Sequence, residues 1–250
     1  SWVLAENCDL PSGVDVWKTI VADYPNYLTE CVLLGRLGLH YKNLLQGKLE
    51  FNDIIPAESR GVFQAFYSNS PSARFFDSVL LETVRHLLKG VNTGRQLRIL
   101  EIGAGMGGLV GSFLHGLPED QFEYIAAESD EELYEQLEAT YSNHNGVSVL
   151  QYDPATQDES DKLKPGSIDL ILANHSLHEN GNILESLRCS KDLLATGGML
   201  LFVERRPDLL IDFFLGLRPD WWRYSPLPDL PSSRLISKEQ WRDSLLKVGF

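Results

Sequence analysis

The residues of this 250-residue chain best suited to moving a proton are His178 and Glu204, with Glu179 beside the histidine. A carboxylate next to an imidazole raises its pKa and fixes its tautomer. That pairing is a general base, worth roughly 10²–10⁴ in rate. The plainer alternative is a surface histidine that happens to follow a strand. His175, three residues earlier, is the nearest rival. His40, His86, His115 and His144 fall in helix or loop contexts and read as structural. Other polar residues recur at one kind of place. Glu101, Glu128, Asp153 and Glu204 each close a short apolar run, and the group Asn174–His178 closes another. In an open α/β sheet, ligands sit outside the carboxyl ends of the strands. One acid at such an end is commonplace, but five consecutive runs ending in polar groups point to a shared site.

The first of these runs, Leu97–Ile102, leads into glycines at 103, 105, 107 and 108. Leu109, Val110, Phe113, Leu114 and Leu117 then recur at helical spacing, so the stretch reads strand, glycine turn, helix. Glycine lets the chain turn sharply and approach a ligand closely, and the helix start offers unpaired N–H groups. Gly103, Gly105 and Gly108 match G-x-G-x-x-G, which alone is a weak signal and would suit a dinucleotide. Glu101 sharpens it. An acid two residues before the first glycine repels a pyrophosphate and suits a cationic ligand, such as the amino and sulfonium groups of S-adenosylmethionine. Glu128, 23 residues after Gly105, can accept from both ribose hydroxyls, and Asp153 from the adenine amino group. A glycine turn with no ligand and an NAD-dependent oxidoreductase remain as alternative readings.

These residues need a scaffold. From Leu97 onward strand and helix patterns alternate, the mark of a doubly wound α/β sheet. Strands are expected at Leu97–Ile102, Phe122–Ala127, Val147–Tyr152, Ile168–Ala173 and Met199–Val203. Helices are expected at Glu131–Tyr141, capped by Asp130, at Ile183–Leu194, and at Ser237–Val248. The Pro154–Gly166 stretch is polar. If the fourth and fifth strands are neighbours, their ends bring His178 and Glu204 within reach. Residues 14–90 read as helical: Val14–Tyr24, Tyr27–Leu45, Val62–Tyr67, and a helix from Pro71 to Gly90. The expected division is a helical lid subdomain over 1–92 and a cofactor-binding core over 93–250. Asp212–Pro231, with Phe213, Phe214, Trp221, Trp222 and Tyr224 among prolines, is too aromatic for a solvated linker. It reads either as a loop packed on the core or as a cover over a substrate channel.

Composition narrows the partners. The net charge of −13 argues against nucleic acid or an anionic membrane as the main partner. The richest apolar stretch, Leu28–Leu39, is broken by Glu30 and Arg36, so no spanning helix is expected. Cys8, Cys31 and Cys189 are odd in number and widely spaced, which fits a reducing, cytoplasmic setting without disulfides. Nothing has metal-ligand spacing. The chain has no initiator Met and reads as a piece of something longer.

With these residues in place, the chain resembles the methyltransferase domain of a modular polyketide synthase. The pieces are Tyr67-Ser-Asn-Ser-Pro-Ser-Ala-Arg74, Leu100-Glu-Ile-Gly-Ala-Gly-Met-Gly-Gly108, Ile171-Leu-Ala-Asn-His-Ser-Leu-His178, Leu193-Leu-Ala-Thr-Gly-Gly-Met-Leu-Leu-Phe-Val-Glu204, Leu215-Gly-Leu-Arg-Pro-Asp-Trp-Trp-Arg-Tyr224, and Trp241 to Phe250. The resemblance implies a Rossmann-like class I methyltransferase core that uses S-adenosylmethionine and releases S-adenosylhomocysteine. It implies a catalytic His178 supported by Glu204. Cofactor contacts are expected from Tyr67, Glu101, Gly103, Ala104 and Gly105, and from Glu128, Ser129, Asp153 and Asn174. The implied acceptor is an intermediate on an acyl carrier protein, with neighbouring synthase domains in the same polypeptide. Two chemistries fit: C-methylation at the α-carbon of a β-ketoacyl thioester, or O-methylation of a β-hydroxyl. A decayed, structural methyltransferase-like domain is a further alternative, opposed by the intact acids and His178. The chain departs from the family at Met106, where Thr is usual, at His175, where Asn is usual, and at Glu179-Asn180, where Ala-Thr is usual. The family's final antiparallel strand pair is expected beyond Phe250.

Overall fold

A computed structural model of the chain describes residues 11–55, 61–89, 94–118, 121–156, 163–179, 182–218, 221–222 and 233–250, without the side chains of 62–64. Asn180, Tyr224, the Phe63 side chain and the middle of the Pro154–Gly166 stretch lie outside the described residues. The chain divides into two compact units, Ser1–Pro71 and Ser72–Phe250.

The first unit is helical. Its helices are α1 (Gly13–Asp23), α2 (Leu28–Leu45), α3 (Phe51–Ile54) and α4 (Gly61–Asn69), with a 3₁₀ turn at Pro25–Tyr27 between the first two. Ser12 starts α1 by accepting from the Asp15 N–H, and Glu50 with Asp53 forms a reciprocal capping box on α3. Cys31, Leu33, Leu37, Ile54, Ile55 and Phe66 are buried. The expected apolar face of α2 is narrower than its sequence pattern, because Leu28 and Leu45 at its ends are exposed. Trp17 Nε1 donates to the Cys31 carbonyl at 2.9 Å, tying α1 to α2.

The second unit is built on five parallel strands: β1 (Leu97–Ile102), β2 (Phe122–Glu128), β3 (Val147–Gln151), β4 (Ile168–Asn174) and β5 (Leu194–Val203). Their order is β3-β2-β1-β4-β5, so the order reverses between β1 and β4. Both faces are covered, as a parallel sheet requires. Side-chain alternation with period two assigns the faces. Ile99, Tyr124, Leu170 and Leu172 pack with Leu80, Val84, Leu109 and Phe113. Leu100, Ile102, Ile125, Ile171 and Ala173 pack with Leu187, Leu193, Ile236 and Trp241. Each Leu- or Phe-sized side chain so buried contributes about 1.5–3 kcal/mol. Leu80 and Val84 lie on α5 (Pro71–Leu88). They place α5 in the core of the sheet, so the two units divide after Pro71 and not at residue 92. The remaining helices are α6 (Gly108–Gly116), α7 (Glu131–Tyr141), α8 (Ile183–Leu193), α9 (Leu209–Leu215) and α10 (Lys238–Val248).

Two of the differences from the sequence expectation lie in β5 and in the aromatic segment. β5 begins at Leu194, before Gly197-Gly198, because the pair forms an irregularity inside the strand: Ile168 pairs with Leu194, and the next partners are Leu170 and Met199. A Cβ at 198 would meet the Ala195 and Ile168 carbonyls at 2.9 and 3.0 Å, so only glycine fits there. The aromatic segment opens with a helix, α9, which Asp208 caps by accepting from the Leu210 N–H at 2.7 Å. No helix among the described residues is long and apolar enough to cross a membrane.

Candidate active site

The carboxyl edge of the sheet carries most of the expected residues. β1 ends at Ile102, and the chain turns through Gly103 and Gly105 with φ of +69° and +55°. A side chain at Gly103 would overlap Ser176, whose Oγ donates to the Ile102 carbonyl at 2.6 Å. The loop after β4 therefore lies directly against the glycine turn. A Cβ at Gly105 would meet nothing within 4 Å, leaving open space over that backbone. The Ala104 N–H donates to the Ala127 carbonyl at 2.9 Å, fastening the turn to β2. Glu128 accepts from the Gly105 N–H at 2.8 Å and from the Ser129 and Asp130 N–H groups at 2.8 and 3.0 Å. Asp153 stands two residues past β3, which ends at Gln151, and holds a turn by accepting from the Ala155 N–H at 2.8 Å.

Glu101 is buried on the face of the sheet shared with Tyr124, whose hydroxyl donates to it at 2.7 Å. Burial, with added repulsion from Asp77 and Glu128, outweighs that hydrogen bond and pushes the Glu101 carboxyl up to about 8. Asp77 was not legible as a site residue, since a lone acid in a helix reads as solvated. It sits buried on α5 and accepts from Asn174 Nδ2 at 2.6 Å. Burial raises Asp77 to about 6 against that bond. Asn174 Oδ1 is buried with no hydrogen-bond partner among the described residues. A buried Glu101 with Asp77 and Glu128 repelling its charge is a place that a cation would relieve. That suits the ammonium and sulfonium of S-adenosylmethionine and disfavours a pyrophosphate. Tyr67 lies on α4 in the other unit, its ring edge-on to Phe66 at 5.3 Å.

The proton-moving residues meet at the ends of β4 and β5. The His175 N–H donates to the Val203 carbonyl at 2.8 Å, which holds the loop after β4 beside the end of β5. Glu204 follows immediately. Its Oε1 accepts from the Leu177 and His178 N–H groups at 2.7 and 3.3 Å. Its Oε2 accepts from His178 Nδ1 at 2.6 Å. The carboxylate thus fixes both the loop and the ring, and it assigns the proton to Nδ1. The two side chains are 2% and 3% exposed.

Nε2 faces Glu179, whose Oε1 is 3.5 Å away. Arg218 holds Glu179 with contacts of 3.2 and 3.4 Å. Arg234 reaches it at 2.8 Å. Burial alone would favour a neutral imidazole, but Glu204 and Glu179 win and push His178 up to about 9. In return, despite burial, His178 and the two arginines pull Glu179 down to about 2. The resting pair is therefore an imidazolium held between two carboxylates. The sequence pointed to Glu179 through its neighbour, but the arginines, 39 and 55 residues away, gave no local signal. Trp221 is fully buried, with its ring edge-on to His178 at a centroid distance of 6.2 Å. Its Nε1 donates to Asp212 at 3.0 Å, so this part of the aromatic segment packs on the histidine. Among the described residues no group of three His, Cys, Asp or Glu is placed to hold a metal ion.

Comparison with known proteins finds similar sequences and folds. Residues 100–200 match the methyltransferase domain family. Over those residues the chain is similar to that family, and its parallel sheet is shared with solved methyltransferase domains. The chain is 28% identical over 241 residues to the non-reducing polyketide synthase nvfA of Aspergillus novofumigatus, an alignment covering 93% of this chain and 10% of that protein. It spans about a tenth of the length of the curated relatives it matches. Among solved structures it is similar to the citrinin polyketide synthase CMeT domain (TM-score 0.82, 24% identity, 96% of this chain and 64% of that one). The CurJ carbon methyltransferase superposes equally well (TM-score 0.82, 22% identity, 96% and 64%).

Proposed function

We propose that this domain methylates the α-carbon of a β-ketoacyl thioester carried on an acyl carrier protein within a polyketide synthase. The observation that carries the reading is the buried His178–Glu204 pair, bonded at 2.6 Å where β4 and β5 end. S-adenosylmethionine, when bound, supplies an electrophilic methyl group. Glu101, Asp77 and Asn174 are the residues for its cationic end, Gly103–Gly105 for close backbone approach, Glu128 and Ser129 for the ribose, and Asp153 for the adenine.

His178 acts through Nε2, since Nδ1 is committed to Glu204. With its proton lost, Nε2 takes the acidic α-proton, and the C–H electron pair stays on the α-carbon, available for the new C–C bond as the methyl carbon–sulfur bond would break and leave its pair on sulfur. Glu204 stabilises the imidazolium produced. Before that, Glu179 must withdraw from Nε2 so that the acceptor can reach it. Similarity to a carbon methyltransferase and to a CMeT domain supports carbon over oxygen as the acceptor. A carrier tethered in the same polypeptide fits a chain of charge −13, which would not attract an acidic carrier over long range. Tethering raises effective concentration to roughly millimolar. Intact-mass analysis of carrier-bound β-ketoacyl and β-hydroxyacyl substrates incubated with S-adenosylmethionine tests the reading. It expects one added methyl on the ketoacyl form alone. Methylation of the hydroxyacyl form alone would assign O-methylation instead.

A further inference from the structure

His175 is the least explained side chain in the second unit. It lies one residue past β4, on the loop that joins the glycine turn to the His178–Glu204 pair. Its ring is buried, with 6% of the residue exposed, yet neither Nδ1 nor Nε2 has a hydrogen-bond partner among the described residues. Folded proteins seldom leave buried polar groups unmet, and exceptions cluster where a ligand completes the set. The backbone adds a second, independent sign. His175 has φ of +55°, the left-handed region, and is the one non-glycine residue so placed among those described. Such strain persists where surrounding structure fixes a side chain for use. The local scaffold here is firm: the His175 N–H is bonded to Val203, Phe76 packs edge-on against the ring at 5.1 Å, and Ser176 is fastened to Ile102.

Resting on the reading above, we infer that His175 contacts the substrate, donating a ring N–H to the acceptor carbonyl oxygen that becomes the enolate oxygen. Its place on the loop, three residues before His178 and bonded through its N–H to the end of β5, sets it beside the proton-transfer pair. Burial first, then Arg205 and His178, holds its pKa down to about 3, so the ring stays neutral throughout the working range. A neutral imidazole is a hydrogen-bond donor that does not compete with His178 for the α-proton. When His178 removes that proton, negative charge moves onto the carbonyl oxygen. A preorganised donor in a dry site stabilises it more than water could.

The test uses a β-ketoacyl pantetheine thioester with the wild type, His175→Phe, which keeps a ring without nitrogens, and His175→Asn, which restores a donor. Two rates are measured, methyl transfer and α-proton exchange in D₂O without the methyl donor, together with S-adenosylhomocysteine affinity by calorimetry. His175→Phe should slow both rates by roughly 10²–10³. His175→Asn should recover part of the loss, and S-adenosylhomocysteine affinity should hold within about twofold in both variants. In the wild type, the ¹⁵N signals of the His175 ring should move on adding the keto thioester and stay still with the analogue lacking the β-keto oxygen, a readout that needs no variant to fold. Affinity for S-adenosylhomocysteine falling in step with the rates would assign His175 to the cofactor and overturn the proposal. Wild-type turnover with a fully active His175→Phe would overturn it alone. A wild type that neither exchanges nor methylates the keto substrate would overturn it together with the functional reading.

Discussion

Replacing Glu179 by Gln should lower the pKa of His178. Glu179 Oε1 stands 3.5 Å from Nε2. A full charge at that distance, at an effective dielectric near 20, is worth about 4–5 kcal/mol, or roughly three pKa units. Arg218 and Arg234 remain after the substitution, so they do not reduce this difference. The amide oxygen that replaces the carboxylate still accepts from Nε2, which offsets about one unit, so a drop of roughly two units from about 9 is expected. An imidazole of pKa about 9 is ~1% neutral at pH 7, and one of pKa about 7 is ~50% neutral. The variant should accordingly be slower than wild type at high pH, because its base is weaker, and should match or exceed it near pH 7. The direct assay is a pH titration of ring-¹⁵N-labelled histidine by NMR, which needs no substrate. A His178 midpoint unmoved in Glu179→Gln would refute the claim that this carboxylate holds the proton on Nε2.

Other consequences follow from the same geometry. His178→Ala should cost roughly 10²–10⁴ in turnover, with S-adenosylhomocysteine affinity by calorimetry nearly unchanged; Glu204→Gln should cost less, since it keeps a hydrogen bond. Gly103→Ala and Gly105→Ala should differ in cost. The first adds a collision with Ser176 to its left-handed strain and should lose on the order of 1–3 kcal/mol in a denaturant melt, whereas the second meets no atom, should lose only about 1–2 kcal/mol from its left-handed φ, and should also weaken cofactor binding. His178 is raised in the folded state, so its contribution to stability is fully present below the unfolded value near 6.5 and is lost as pH rises through about 9. Chemical unfolding of wild type should weaken over that window, and His178→Ala should lose that part of the slope.

The sheet was legible because a parallel strand buried on both faces leaves a short, unbroken apolar run with a polar residue at its end. β1 and α7 fall where the pattern puts them, and Asp130 caps α7 as expected. The His178–Glu204 contact was legible through topology, since two strands paired side by side must bring their ends together. What local pattern missed was set at long range. Gly197-Gly198 carries the signature of a helix stop, but its role is decided by the carbonyl of Ile168 on the neighbouring strand. Asp77 looks like any helix-surface acid until α5 is laid on the sheet beside Asn174. Arg218 and Arg234 become partners of Glu179 only when the aromatic segment packs against His178.

The central claim is that His178 removes a carbon-bound proton for methyl transfer. Single-turnover NMR with S-adenosylmethionine labelled with ¹³C in its methyl group and a carrier-bound β-ketoacyl substrate tests it most directly. Wild type should show the label bonded to the α-carbon, and His178→Ala should show none on the same timescale. A label on oxygen, or equal labelling of carbon by the variant, would contradict the account.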